Sequence, residues 1–99
     1  MTTTFLTDDE LKQYILDTCG PDEAEGVFIM DGYPSAAIGL LRHPDGTRLV
    51  YSYAKVIHSL VHDHGMTRED AIEFYDYNIE RSLPYLGDQA PLIIEEFAP

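Results

Sequence analysis

Apolar positions in this chain follow two different repeats, and the change of repeat marks out the elements. From Leu11 they fall at Leu11, Tyr14, Ile15 and Thr18 or Cys19, the spacing of an amphipathic helix. "TDDE" opens that helix. Thr7 is the cap, Glu10 completes a capping box, and Asp8, Asp9 and Glu10 put negative charge where the helix dipole favours it. Gly20 and Pro21 end it, and "DEAE" (22–25) reads as a solvated loop. Three short runs follow, "GVFIMD", "SAAIGLLRH" and "TRLVYS", separated by "GYP" and "HPDG". They are rich in Val, Ile, Leu and Phe with turn residues between, which predicts a three-stranded antiparallel meander. Ala36, Ala37 and Gly39 line the second run with small residues, which invites close packing by a helix or a partner.

The helical period then returns. Ser52 caps a helix expected over 53–64, with Tyr53, Val56, Ile57, Leu60 and Val61 as its apolar face and Gly65 as its stop. Thr67 caps a third helix, with Asp70 in the reciprocal position, running to Arg81 or Ser82. On an ideal helix Ala71, Phe74, Tyr75, Asn78 and Ser82 face inward, flanked by Ile72 and Ile79. Pro84, Gly87 and Pro91 break the chain, and "LIIEEF" (92–97) reads as a last strand. The expectation is an α+β domain, order α-βββ-αα-β. Three helices would pack on a small antiparallel sheet of three to four strands, in one domain over 1–99 with 1–6 as a loose tail.

Composition narrows what this domain can meet. Eighteen acidic residues against six Lys and Arg give a formal charge of −12. Nucleic-acid affinity comes largely from basic residues neutralising phosphates, so direct nucleic-acid binding is disfavoured, as is an anionic membrane. Basic partners and cations are favoured. Only two of the six basic residues are Lys, and an acidic, Lys-poor surface also serves solubility in high salt, so charge alone names no partner. Cys19 is the single cysteine, which rules out an intramolecular disulfide and points to a reducing cytoplasm. "MTTTFLTDDE" lacks the basic start and long apolar run of a signal peptide, and no run is long enough to span a membrane. With 99 residues the core must be small, and a homodimer would add burial.

Catalytic signatures are missing from the sequence. His58 and His62 stand at i and i+4, a spacing that can bind zinc, but no Glu follows His58 as in a zinc protease. Two solvated histidines are the simpler reading, and no metal or cofactor is expected. A small metal-dependent enzyme using that pair is the third-ranked alternative. No serine sits in a nucleophile elbow, and no phosphate loop or dinucleotide fingerprint occurs. With eighteen acids, any chosen carboxylate pair is unspecific.

The third helix carries the sharper feature. Glu69, Glu73, Asp76 and Glu80 recur every three or four residues opposite the inner face, forming a stripe roughly 16 Å long with no Lys or Arg inside it. A solvated face explains it blandly. A row of carboxylates standing in for backbone phosphates explains it functionally, with Tyr77 at the edge as an anchor. Asn78, on the inner face, must find partners or cost roughly 1–3 kcal/mol. A structural clasp onto the "LPYLGDQAP" loop is expected.

Four stretches, "SAAIGLL", "LVYSYAKVI", "GMTREDAIEFYDYNI" and "PYLGDQAPLII", together resemble a family of small proteins encoded in tailed-phage genomes. The likeness covers about residues 35 to 94 and is carried by Gly39, Tyr51, Gly65, Met66, Ala71, Phe74, Asn78, Gly87 and Pro91. It implies a phage or prophage accessory gene and transfers no catalytic residue. Small acidic proteins from that setting often inhibit host restriction or CRISPR systems. The leading expectation is therefore a non-enzymatic, nucleic-acid-mimic binder of a basic nucleic-acid-handling host protein. The alternative is a phage structural or assembly homo-oligomer whose acids serve solubility.

Overall fold

A computed structural model describes residues 4–97. Among them are four α-helices and three strands in the order α-α-ββ-α-α-β: α1 (Asp8–Cys19), α2 (Pro21–Glu25), β1 (Ala37–His43), β2 (Gly46–Ser52), α3 (Tyr53–His62), α4 (Arg68–Phe74) and β3 (Leu92–Ile94). The class is α+β, with a mixed sheet ordered β1-β2-β3. β1 and β2 form an antiparallel hairpin around Pro44 and Asp45, with a register irregularity between Ala37 and Gly39. β3 pairs with β2 in parallel, which corrects the purely antiparallel expectation. The physical reason is the connection. Residues 53–91 form a long helical crossover, and such a crossover returns the chain to the same end of the sheet.

The caps read from sequence form. Thr7 Oγ1 accepts from the Glu10 amide and Glu10 Oε1 accepts from the Thr7 amide, the reciprocal pair that starts α1. Ser52 accepts from the Lys55 amide at the head of α3, and Thr67 from the Asp70 amide at the head of α4. Of the expected tail, residues 1–3 lie outside the described residues. Phe5 packs edge-on against Tyr14, with ring centroids 5.3 Å apart.

Two other expectations are overturned. "DEAE" is not a loop but most of α2. Glu23 on it pairs with Arg42 of β1 at 3.0 Å, and its carboxyl is held below its usual range first by the Cys19 thiol and then by Thr47. "GVFIMD" is not a strand either. Residues 27–30 are irregular, and the amides of Val27 and Met30 bond partners outside any ladder. The Met30 amide donates to the Tyr51 hydroxyl at 2.9 Å, and the Gly32 amide donates to Asp8 Oδ2 at 2.9 Å. Gly32 has φ +95°, the left-handed region that lets the turn there point its amide back at α1.

The core lies between α1, the hairpin, α3 and the start of α4. Leu11, Ile15, Leu49, Tyr51, Val56, Leu60 and Ala71 are buried in it, and Ala36 and Ala37 close one end. No close approach is made at Gly39 by the described residues. A Cβ there would meet no atom within 4 Å.

The third helix departs most from its expected form. After α4 the chain continues as a π turn over Tyr75–Ile79, and then as a 3-10 segment, Glu80–Gln89, with a break at Gly87. The Glu80 amide bonds the Tyr75 carbonyl, five residues back. A π turn is wider than an α turn, so each residue advances through a smaller angle. The inner face runs through Ala71, Tyr75 and Ile79 with Phe74 partly buried beside it, whereas Asn78 and Ser82, expected inside, are exposed. Beyond Gly87, Arg48 Nε donates to the Ala90 carbonyl at 2.7 Å and ties the chain to β2 before β3 begins.

Candidate acidic interface

The four acids of the stripe are all exposed, and none makes an ion pair among the described residues. The π turn divides them. Glu69 and Glu73 stay on regular helix, whereas Asp76 and Glu80 swing toward the end of β3. There they meet Glu95, and with Tyr53, Tyr75 and Ile93 they line a cleft of about 170 Å³. An adjoining groove of about 210 Å³ is lined by Tyr53, Ala54, Ile57, Arg68, Glu95 and Glu96. Arg68 is thus a cation beside this acidic patch, sharing the groove with Tyr53 and Glu95.

Two tyrosines form the floor. Tyr53, at the first position of α3, meets Tyr75 edge to face, with ring centroids 4.8 Å apart and planes at 87°. Tyr75 is 5% exposed. Burial first, and then Glu80, Tyr53, Asp76 and Glu95, push its phenol up to about 12. Tyr53 is raised in the same direction, by burial and then by Asp76 and Glu95, with Arg68 opposing. Both phenols are therefore neutral donors and acceptors facing negative charge at neutral pH.

The remaining predicted residues fall elsewhere. Tyr77 is exposed, as an edge residue should be, but the Arg81 guanidinium lies 4.4 Å from its ring centroid and covers one face. Asn78 is not a clasp on the later loop. It is exposed, and its Nδ2 donates to the Phe74 carbonyl one turn back at 3.1 Å, adding a side-chain bond to the π turn. His58 and His62 are exposed with rings 4.0 Å apart. Among the described residues no group of three His, Cys, Asp or Glu is arranged to hold a metal ion. Cys19 is half-buried, its thiol pushed up by burial and by Glu23.

Glu95, Glu96, Tyr53 and Tyr75 were not legible as site residues. The two tyrosines satisfy an apolar helical face and so read as core. The acids closing "LIIEEF" were the available signal, but only the parallel register of β3 brings Glu95 beside Asp76 and Glu80. No described helix is long and apolar enough to cross a membrane. No protein-family model, no curated protein and no solved structure matches this chain.

Proposed function

We propose that this chain is a non-enzymatic binding protein that docks its acidic surface on a basic, nucleic-acid-handling protein in place of nucleic acid. The observation that carries the reading is the run of Glu69, Glu73, Asp76 and Glu80, exposed and without ion pairs among the described residues. Like charges at these spacings destabilise a helix by a few tenths of a kcal/mol per pair. Carboxylates spaced along one edge meet Lys and Arg that otherwise meet phosphates. The resemblance to small tailed-phage proteins supplies a setting, inhibition of a host restriction or CRISPR-type nuclease.

The test is displacement of a short fluorescent DNA duplex from such a nuclease. The protein should compete at low salt and lose potency as salt rises, since exposed charges are screened over about 8–10 Å at 0.10–0.15 M. Changing Glu69, Glu73 and Glu80 to Gln and Asp76 to Asn together should weaken competition by about 1–4 kcal/mol in total. A quadruple variant that competes as well as the parent refutes the reading.

One observation favours a second reading, a phage structural homo-oligomer. β1 is a seven-residue edge strand with Leu41 exposed on it, a template for pairing with a second copy. Native mass spectrometry separates the two. A stable dimer that Leu41→Lys dissolves supports the oligomer, and a monomer at working concentration removes it.

A further inference from the structure

β1 is an edge of the sheet, and no strand pairs with its outer side among the described residues. The tight turn at Pro44 and Asp45 makes His43 and Gly46 a hydrogen-bonded pair, and the pattern alternates from there. The backbone groups of Leu40 and Arg42 therefore point away from β2, and no backbone bond outside the sheet takes them up among the described residues. From Ala37 to Leu41 this edge has neither charge nor proline, two of the usual guards against pairing. Beside it, between β1 and α1, runs a groove of about 470 Å³ with Phe5, Tyr14, Ile38 and Leu40 on its sides. Among the described residues no acid lines that groove, and its one cation, Arg42, is already paired with Glu23 at 3.0 Å.

The distribution of charge selects what covers this side. Between Gly32 and His62, the span that holds β1, β2 and α3, Asp45 is the sole acid and stands against Arg42, Arg48 and Lys55. All the other acids lie outside that span, so two copies carrying −12 each meet with least repulsion hairpin to hairpin.

We propose that the outer edge of β1 pairs antiparallel with β1 of a second copy about a two-fold axis at Leu40, joining two sheets into one. The inference rests on the second reading above and deepens it, by fixing the register and the part each side chain plays. Leu40 is the middle of the seven-residue strand, and an axis there sets outward backbone opposite outward backbone. Side chains alternate across a sheet, so Leu40, beside the buried Leu49, enters the groove of the other copy. On the other face, Leu41 of each copy lies over Gly39 of the other, where an added Cβ would meet no atom within 4 Å. An axis at Leu41 would instead set the two Leu41 side chains against each other and leave Ala37 and Ile38 unpaired. One strand and one groove per copy make a contact at the small end of stable interfaces, roughly 1,200 Å² in total, so dissociation falls in the micromolar range.

The experiment is sedimentation of the full chain over a range of concentrations, with native-state hydrogen exchange at both ends of that range. A monomer–dimer equilibrium should tighten as salt rises, because screening relieves repulsion between the copies; binding to a basic partner responds in the reverse sense. The Leu40 and Arg42 amides should gain protection as the dimer forms, while the Leu41 amide, bonded to β2, is protected throughout. Gly39→Val should leave the melt of the monomer unchanged and weaken the dimer at least about 10-fold through a clash with Leu41. In a Cys19→Ser background, Leu40→Cys should give a disulfide-linked dimer under mild oxidation, because facing Cα atoms at the axis lie about 5.5 Å apart, and Leu41→Cys should not.

A chain that stays monomeric at millimolar concentration overturns this inference and the second reading together, and leaves the edge to a strand of another protein. A dimer overturns the β1 contact alone, and leaves the oligomer standing, in any of three cases: its Leu40 and Arg42 amides stay unprotected, Gly39→Val leaves it intact, or Leu41→Cys traps it better than Leu40→Cys.

Discussion

Replacing Tyr51 by Phe removes one oxygen and leaves the rest of the core in place. Tyr51 is fully buried on β2, and its hydroxyl accepts the amide of Met30, which is itself buried. Phe keeps the ring, so little transfer energy and no cavity larger than a hydroxyl enter the difference. What changes is the Met30 amide, which loses its partner inside the protein. Leaving a buried donor unsatisfied costs about 1–3 kcal/mol, whereas exchanging a pair of partners together costs far less. For a domain of this size that loss lowers Tm by roughly 4–8 °C per kcal/mol. Against a usual stability of about 5–15 kcal/mol, it is a substantial fraction from one atom.

The effect should also be local before it is global. Residues 27–33 have no strand ladder, and the bonds from Met30 to Tyr51 and from Gly32 to Asp8 tie them down. Urea denaturation followed by far-UV circular dichroism measures the global loss, and native-state hydrogen exchange measures protection at the Met30 amide. Tyr51→Phe should shift the midpoint and strip that amide of protection while leaving the α3 amides at the new global limit. A variant within about 0.5 kcal/mol of the parent, with Met30 still protected, refutes the view that this bond holds the segment.

Two further outcomes check other parts of the account. Thr7→Ala removes the acceptor for the Glu10 amide and should cost about 0.5–2 kcal/mol in thermal or urea melts; an unchanged melt would mean that α1 does not depend on its capping box. The folded protein holds the Tyr75 proton more tightly than the unfolded chain, at about 12 against an ordinary 10, so its contribution to stability is complete below pH 10 and is lost as pH rises through 12. Allowing for solvent at the cleft mouth, that contribution is about 1–2 kcal/mol, and ultraviolet titration of Tyr75→Phe should lack a late phenolate step that the parent shows near 12.

Legibility in the sequence tracked the distance over which each element is decided. The capping box at Thr7, the Ser52 cap and the apolar face of α3 are settled within a few residues, and each forms as read. The stretch 27–32 carries a strand composition, but the amides of Met30 and Gly32 find partners 21 and 24 positions away in sequence, on Tyr51 and Asp8, which no local pattern reveals. The direction of β3 depends on the path of the whole crossover. The π turn is subtler. Nothing in "EFYDYNIE" distinguishes it from an α turn, yet with it Ile79 joins Tyr75 on the inner line and Asn78 leaves it. The stripe itself was visible because it needs only spacing, whereas its division into two parts was not.

That division decides how the acidic surface would work. Glu69 and Glu73 stand in solvent on regular helix, where a charge contact contributes little at close range and is screened within a Debye length. Such charges speed encounter with a basic surface more than they hold it. Asp76, Glu80 and Glu95 line one cleft with Tyr53 and Tyr75, where a bound cation would shed part of its water and its bonds would be screened less. Contacts of that kind act on how long a complex lasts. A straight α-helix would have left all four acids in one row with the same exposure and the same dependence on salt. The single wide turn at Tyr75–Ile79 instead separates two acids on regular helix from two that share a cleft with Glu95, so the proposed binding would depend on salt differently at its two ends.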